Sequence, residues 1–179
     1  GSGLVGKNLT QLLSQNGHQV AWLTRKINNN LPIKQFVWDV NNQTIDKAVF
    51  DFADVIINLA GAGVADKKWT QSYKKEIYDS RIFSANLLAQ ALSQNKHHVE
   101  TYLSASAIGI YGNNTHLNTT EAVPATGNFL AQVCKDWETA ANKISDLGIR
   151  TSIVRVGVVL AKNGGFIEEV SKPIKMYVG

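Results

Sequence analysis

The chain has 179 residues, of which 44% are apolar and 18% are charged, and its net charge is +4. This balance is typical of a folded globular domain, and no apolar run approaches the roughly 18 residues of a transmembrane helix. The single cysteine, Cys134, excludes an internal disulfide and fits a reducing compartment, so we expect a cytoplasmic protein. Because basic residues form no long run, we expect neither nucleic-acid nor membrane partners.

Helical and strand signals alternate along the whole chain. Helices are predicted over residues 3–16, near 44–51, after Trp69, from Asn128 to Leu147 and near Phe166, with strands over 19–24, 35–38, 54–59, 101–106 and 150–160. Residues 113–125 are predicted to form a polar loop. Alternation of this kind predicts an α/β fold, in which helices cover both faces of a parallel sheet.

A glycine motif opens the chain: Gly1, Ser2, Gly3, Leu4, Val5 and Gly6 match G-x-G-x-x-G and lead directly into the first predicted helix. Glycines at these positions allow a tight turn and a close approach of backbone to a pyrophosphate, while the helix N-terminus offers N–H groups to the anion. A predicted strand follows about 20 residues on, as in a Rossmann-type doubly wound domain. Because the chain starts inside this motif and ends without a closing element, we expect residues 1–179 to be one NAD(P)-binding domain that lacks its first strand and a C-terminal substrate part.

The end of the strand predicted over residues 19–24, which is the second strand of a Rossmann-type domain, indicates which dinucleotide is bound. NAD-binding domains usually place an acidic residue there for the ribose 2′-hydroxyl, whereas an arginine accommodates the 2′-phosphate of NADP. This chain has Thr24 and Arg25 there and no acid, which favours NADP over NAD.

Two further segments are predicted to contact the same cofactor. Leu59, Ala60 and Gly61 follow a buried strand with mostly small side chains, where a cofactor backbone can pass. Asp39 follows the strand predicted over residues 35–38 and could accept a hydrogen bond from an adenine amino group. The alternative is that Asp39 is a simple turn residue.

Taken together, these segments resemble the extended short-chain dehydrogenase/reductase superfamily. The chain is most similar to the atypical branch of NAD-dependent epimerase/dehydratase-like proteins, a sugar-nucleotide epimerase family of unknown substrate. The resemblance rests on the segments GSGLVG, VIINLAGAGVADKKWT, DSRI, LSASAIGIYG, FLAQVCKDWE and RVGVVL. It implies a small or nucleotide-linked substrate with a carbonyl or hydroxyl group.

The superfamily's chemistry uses a serine or threonine, a tyrosine and a lysine, the last two spaced Y-x-x-x-K. None of the five tyrosines here has a lysine four residues on, and alignment on Glu138 puts Leu130 and Cys134 in those two places. The resemblance implies that Ser106 polarises a substrate carbonyl, with Ser104 as the alternative. Tyr111 is the nearest candidate for a substitute acid.

Two hypotheses about function follow. The first is an NADP-dependent epimerase or oxidoreductase that uses Ser106 and a non-standard acid such as Tyr111. The second is a non-catalytic NADP(H)-binding sensor or regulator, which the missing tyrosine–lysine pair favours. We expect no metal, because the four histidines lack metal-ligand spacing, and a homodimer through the helices around 70–95 and 128–147. Arg81, in the middle of a helix, either faces an anionic ligand or extends to solvent.

Overall fold

The computed structural model describes residues 1–112, 121, 127–161 and 165. Helix α1 (Leu4–Gln15) follows the glycine motif at once. It is followed by Gly17, whose φ of +83° lies in the left-handed region that glycine adopts readily after a helix. The apolar spacing over residues 3–16 therefore predicted α1 to within one residue at each end.

A small mixed sheet comes next. Strand β1 (Ala21–Thr24) pairs in parallel with β2 (Lys34–Asp39), and β2 pairs in antiparallel fashion with the two-residue strand β3 (Thr44–Ile45). Helix α2 (Val49–Phe52) follows. The prediction of a helix over residues 44–51 is thus wrong at its start, because the backbone of residues 44 and 45 pairs with the end of β2 instead.

A second sheet is wholly parallel, in the order β4 (Val55–Asn58), β5 (Thr101–Ala107) and β6 (Arg150–Val156). The strand predicted over 150–160 is interrupted after β6, and the two-residue strand β7 (Leu160–Ala161) resumes it. The carboxyl ends of parallel strands meet at one edge, which is where ligands bind in open α/β sheets.

Two long helices pack beside this second sheet. Helix α3 (Gln71–Gln94) begins at Thr70, whose side chain accepts a hydrogen bond from the backbone N–H of Tyr73. Helix α4 (Phe129–Ser145) begins at Asn128, whose Oδ1 accepts from the N–H of Ala131. Both caps satisfy N–H groups that a helix start leaves unpaired. Helix α4 packs against β5, β6 and α3.

One hydrophobic core joins the two sheets. It includes Phe36 from β2, Ile56 from β4, Tyr102 from β5, Leu88 from α3 and Ile144 from α4, each at most 7% exposed. Burying a large apolar side chain contributes about 2 kcal/mol, so this cluster is a main source of stability. Within the described residues, no backbone pairing joins β1–β3 to β4–β6.

Some predictions fall outside this description. The helix predicted near Phe166 and the loop over 113–125, apart from Glu121, lie outside the described residues. The strand expected before Gly1 and the part expected after Gly179 stay predictions. In the part of the chain that the structure describes, no helix is long and apolar enough to cross a membrane.

Candidate functional site

The glycine motif forms a tight turn into α1. A Cβ on Gly6 would lie 2.4 Å from the carbonyl oxygen of Gly1, so only glycine permits this close backbone contact. Gly3 is the residue before the helix, and a Cβ built there has nothing within 4 Å. No side chain among the described residues caps α1, so the first N–H groups of the helix have only solvent or a ligand to bind.

The two glycines are predicted to differ in their effect on stability. Gly6→Ala should lower the free energy of unfolding by about 2 kcal/mol, because the new methyl group meets backbone that cannot rotate away. Gly3→Ala should cost less than about 1 kcal/mol, mostly through weaker capping. Urea unfolding of both variants measures the difference, and equal losses would contradict the close contact at Gly6.

The other residues of the motif lie at the surface or partly buried. Ser2 and Val5 are exposed, whereas Leu4 is half-buried. A Cβ on Gly165 would lie 3.6 Å from the Leu4 side chain, so Gly165 lies close to the first turn of α1. The glycine turn is therefore adjacent to this residue.

The predicted cofactor-selecting residues lie at the ends of β1 and β2. Thr24 ends β1, and its hydroxyl donates to the carbonyl of Lys26, which leaves Arg25 exposed between them. Asp39 ends β2, and its carboxylate accepts hydrogen bonds from the N–H groups of Asn41 and Asn42. These bonds, that from the Asn42 backbone foremost, lower the pKa of Asp39. Its contacts are those of a turn residue, and the contact with adenine stays a prediction.

A buried polar network fixes the loop after β4. Asn58 is 3% exposed, and its Nδ2 donates to the hydroxyl oxygens of Tyr102 at 3.1 Å and Ser84 at 3.3 Å. Its Oδ1 accepts from the N–H of Ala60 at 3.0 Å. The bond to Ala60 fixes the start of the predicted cofactor segment relative to β4. Within that segment Leu59 and Ala60 are half-buried and Gly61 is exposed.

At the carboxyl ends of β5 and β6, four side chains form one hydrogen-bonded group, which we call the polar cluster: Ser106, Tyr111, Glu138 and Arg155. Glu138 on α4 accepts two parallel bonds from Arg155, each 2.8 Å long, and a 2.6 Å bond from the Ser106 hydroxyl. Arg155 also donates from Nη1 to the Tyr111 hydroxyl oxygen at 3.1 Å and to the Glu121 carbonyl at 2.7 Å. The Arg155 guanidinium lies 5.3 Å from the centre of the Tyr111 ring.

The charges of this cluster stabilise each other. Burial disfavours the ionised form of Glu138, but the hydrogen bonds from Arg155 and Ser106 outweigh it, so the pKa of this carboxyl is lowered. The same pairing with Glu138, helped by Tyr111, raises the pKa of Arg155. Both groups are therefore charged at neutral pH. The bidentate geometry is the strong form of an arginine–carboxylate pair.

The two residues predicted to be catalytic are thus brought together, but their surroundings differ. Ser106 is 2% exposed and its proton is directed at Glu138. Tyr111 lies in the short 3-10 helix Ile108–Tyr111 and is half-buried. Its oxygen accepts from Arg155, and its own proton has no acceptor among the described residues, so a ligand could accept that proton. Ser104, the alternative to Ser106, is wholly buried and donates to the Ala105 carbonyl.

The residues aligned with the missing tyrosine and lysine face the same short helix. A Cβ on Gly109 would lie 3.4 Å from Leu130 Cβ and 3.6 Å from Cys134 Sγ. Burial raises the pKa of the Cys134 thiol, which is 4% exposed. Cys134 packs as a small apolar residue. Neither Leu130 nor Cys134 can replace the tyrosine as the acid.

Sequence reasoning missed Arg155 and the role of Glu138. Glu138 served only to align the chain with the superfamily's motif. The available signal was chemical: Arg155 is a charged residue within the apolar end of β6, after Ile153 and Val154 and before Val156, and Glu138 follows the inward-facing Trp137. Charges at such positions usually need a partner. Among the described residues, no group of three or more potential ligands could hold a metal ion.

The glycine turn, the parallel strands and the polar site at their carboxyl ends define a Rossmann-type α/β protein of the short-chain dehydrogenase/reductase kind. The model of the NAD dependent epimerase/dehydratase family matches residues 1–174. The chain belongs to this family, and both the fold class and the resemblance predicted from the sequence are confirmed.

Individual relatives agree. An epimerase family protein from Mycobacterium bovis is 33% identical over 169 residues, which are 94% of this chain and 55% of that protein. One from Staphylococcus epidermidis is 33% identical over 182 aligned residues, covering 100% of this chain and 60% of that protein. The chain thus spans a little over half the length of these curated relatives.

Solved structures give the same result. A nucleoside-diphosphate sugar epimerase from Corynebacterium glutamicum has a TM-score of 0.80 and 35% identity, over 97% of this chain and 36% of that one. A human epimerase family protein, solved with NADPH, has a TM-score of 0.80 and 25% identity, over 99% of this chain and 58% of that one.

Proposed function

We propose that this chain binds NADP(H) and belongs to an enzyme that oxidises, reduces or epimerises a carbonyl or hydroxyl carbon of a small or nucleotide-linked substrate. The observation that carries this proposal is the polar cluster, in which Arg155 donates to the Tyr111 hydroxyl oxygen and the Tyr111 proton has no acceptor in the described part of the chain. A donor of this kind at the carboxyl ends of parallel strands is suited to acid–base work on a bound ligand.

The glycine turn supports the cofactor part of the proposal. The open space in front of Gly3 and the uncapped start of α1 form a cradle for a pyrophosphate. Exposed Arg25, at the end of β1, is placed to pair with a 2′-phosphate. The human relative solved with NADPH also favours NADP. When bound, the nicotinamide would supply or accept a hydride.

In this proposal, Tyr111 gives a proton to the substrate oxygen or takes one from it. Arg155 keeps the phenol oriented and stabilises negative charge on its oxygen, and Glu138 fixes Arg155 through two hydrogen bonds. Ser106 would have to leave Glu138 to polarise a carbonyl, as the resemblance implies, whereas Tyr111 needs no such change. Tyr111 is therefore the preferred acid, and Ser106 orients Glu138.

A non-catalytic NADP(H) sensor is the second candidate. The observation that favours it is the pairing of Leu130 and Cys134 against Gly109, at the positions aligned with the usual tyrosine and lysine. Such a protein would bind NADPH and turn nothing over. The homodimer and the cytoplasmic location stay predictions from the sequence.

Titration of the full-length protein with NADPH and NADH, followed by nicotinamide fluorescence, tests the cofactor. We expect Arg25→Asp to weaken NADPH binding by about 10- to 100-fold and NADH binding by no more than about threefold, because only NADPH carries the phosphate. Lys96→Asp, the same charge change on an exposed residue after α3, is the matched control and should alter neither. Failure of the unmodified full-length protein to bind either nucleotide would remove the proposed function.

A further inference from the structure

The Arg81 side chain lies against the loop that follows β4. Arg81 is on α3 and is half-buried. A Cβ on Gly61 would lie 2.9 Å from the Arg81 guanidinium carbon, and that carbon lies 5.2 Å from the centre of the Trp137 ring. The guanidinium thus contacts both the predicted cofactor loop and helix α4.

Most of the hydrogen-bonding capacity of Arg81 is unused. Among the described residues its single hydrogen bond runs from Nη1 to the carbonyl of Ile77, at 2.9 Å, and no carboxylate lies within 4.0 Å. A guanidinium has five N–H donors, so about four are left without a protein acceptor. Arg155 differs, since its charge is neutralised by Glu138.

A second donor beside Arg81 also lacks an acceptor. Trp137 Nε1 is buried and has no hydrogen-bond partner among the described residues. Such orphaned donors are uncommon in folded proteins. Burial lowers the pKa of Arg81, so its charge is held here at a cost that an anion would offset.

Arg81 also lies near the carboxyl end of β5. Its guanidinium carbon lies 5.2 Å from the centre of the Trp137 ring, and Trp137 packs in one buried cluster with Ala105 of β5. An anion on Arg81 would therefore be close to the end of β5 at which the polar cluster lies.

We propose that Arg81 is an anion-binding residue of this site, which takes a phosphate or carboxylate oxygen of a bound ligand. The inference rests on the proposed function and deepens it. The planar fork of a guanidinium matches both groups in bidentate fashion. The guanidinium carbon lies 5.2 Å from the centre of the Trp137 ring, and this cation–π contact supplies no hydrogen-bond acceptor to the N–H groups. The anion is either a phosphate of the dinucleotide or an acidic group of the substrate.

The test measures the melting temperature of each variant with and without the anion. Because each variant is compared with itself, a substitution that only lowers stability does not change the measured rise. Sodium phosphate and sodium malonate are compared with sodium chloride at matched ionic strength, and NADPH is titrated separately. We expect phosphate or malonate, at ten times its dissociation constant, to raise the melting temperature of the unmodified chain by about 3 °C. Arg81→Gln should abolish this rise and Arg81→Lys should reduce it, whereas Lys96→Gln should preserve it.

The NADPH titration and the phosphate and malonate measurements together distinguish a cofactor anion from a substrate anion. A tenfold or larger loss of NADPH affinity in Arg81→Gln would assign the anion to the cofactor. Unchanged NADPH affinity with loss of the phosphate or malonate effect would assign it to the substrate. Equal responses of Arg81→Gln and the unmodified chain to all three ligands would overturn the inference, as would no response of the unmodified chain. An Arg81-dependent response to phosphate without any NADPH binding would support the anion site and remove the proposed function.

Discussion

Replacing Tyr111 with Phe is expected to lower kcat for NADPH-dependent carbonyl reduction by about 100- to 10,000-fold, the usual contribution of a positioned general acid. The substitution removes the hydroxyl proton of the polar cluster that has no acceptor among the described residues, whereas the Ser106 proton is directed at Glu138. Because the ring is retained, Arg155 keeps its contact with the aromatic face. NADPH affinity should therefore stay within about threefold.

Tyr78→Phe is the matched control for this substitution. The Tyr78 hydroxyl donates to Asp136 at 3.1 Å, at the contact of α3 with α4 and outside the polar cluster. Like Tyr111→Phe, this variant removes one tyrosine hydroxyl that is bonded to a charged group. Its kcat should nevertheless stay within about twofold of that of the unmodified protein. The measurement is NADPH oxidation at 340 nm against a panel of aldehydes, ketones and nucleotide-linked keto sugars.

The result also separates the two candidate functions. Equal kcat in Tyr111→Phe and the unmodified protein would show that another group is the acid. Tight NADPH binding without turnover of any compound in the panel would favour the sensor. In that case Tyr111→Phe should change neither the affinity nor the stability by much.

Glu138→Gln is expected to lower the free energy of unfolding at pH 7 by about 2 kcal/mol, between the small loss at an exposed ion pair and the larger loss measured when one partner of a fully buried pair is removed. The side chains of Arg155 and Glu138 are only 22% and 14% exposed. The amide has nearly the same shape as the carboxylate but leaves Arg155 without a counter-charge. It also weakens the acceptor of the Ser106 hydroxyl.

Glu76→Gln provides the control for that loss. Glu76 pairs with Lys67 at 3.3 Å, but the two side chains are 52% and 63% exposed. Exposed pairs contribute little, so this variant should lose less than about 0.5 kcal/mol in the same urea titration. Equal losses in the two variants would contradict the buried character of the Glu138–Arg155 pair.

The effect of Glu138→Gln should depend on pH. Because the pKa of Glu138 is lowered in the folded state, its contribution is fully present above the ordinary value of 4.5 and is lost as the pH falls through the folded pKa. The stability difference between Glu138→Gln and the unmodified chain should therefore be constant from neutral pH down to about 4.5 and shrink below it. A difference that grows on acidification would contradict this sign.

The sequence by itself determined the features that depend on neighbouring residues. The bounds of α1, the turn at Gly17 and the strand–helix alternation follow from apolar spacing and backbone preference over a few residues. The G-x-G-x-x-G spacing also indicated glycine at position 6, for close packing of helix and strand, whereas the contact with the Gly1 carbonyl is seen only in the structure. That Thr24 and Arg25 come at the end of β1 could likewise be read from the local sequence.

Only the tertiary structure decided which polar side chains meet. Arg155 and Glu138 are 17 residues apart in the chain, and Arg155 and Tyr111 are 44 apart. The network of Asn58 with Tyr102 and Ser84 spans similar separations. Neither periodicity nor propensity reports such contacts, because they depend on how α4 packs across β5 and β6. For the same reason Thr44 and Ile45 form a strand where local preference indicated a helix: the backbone of β2 offered them hydrogen-bond partners.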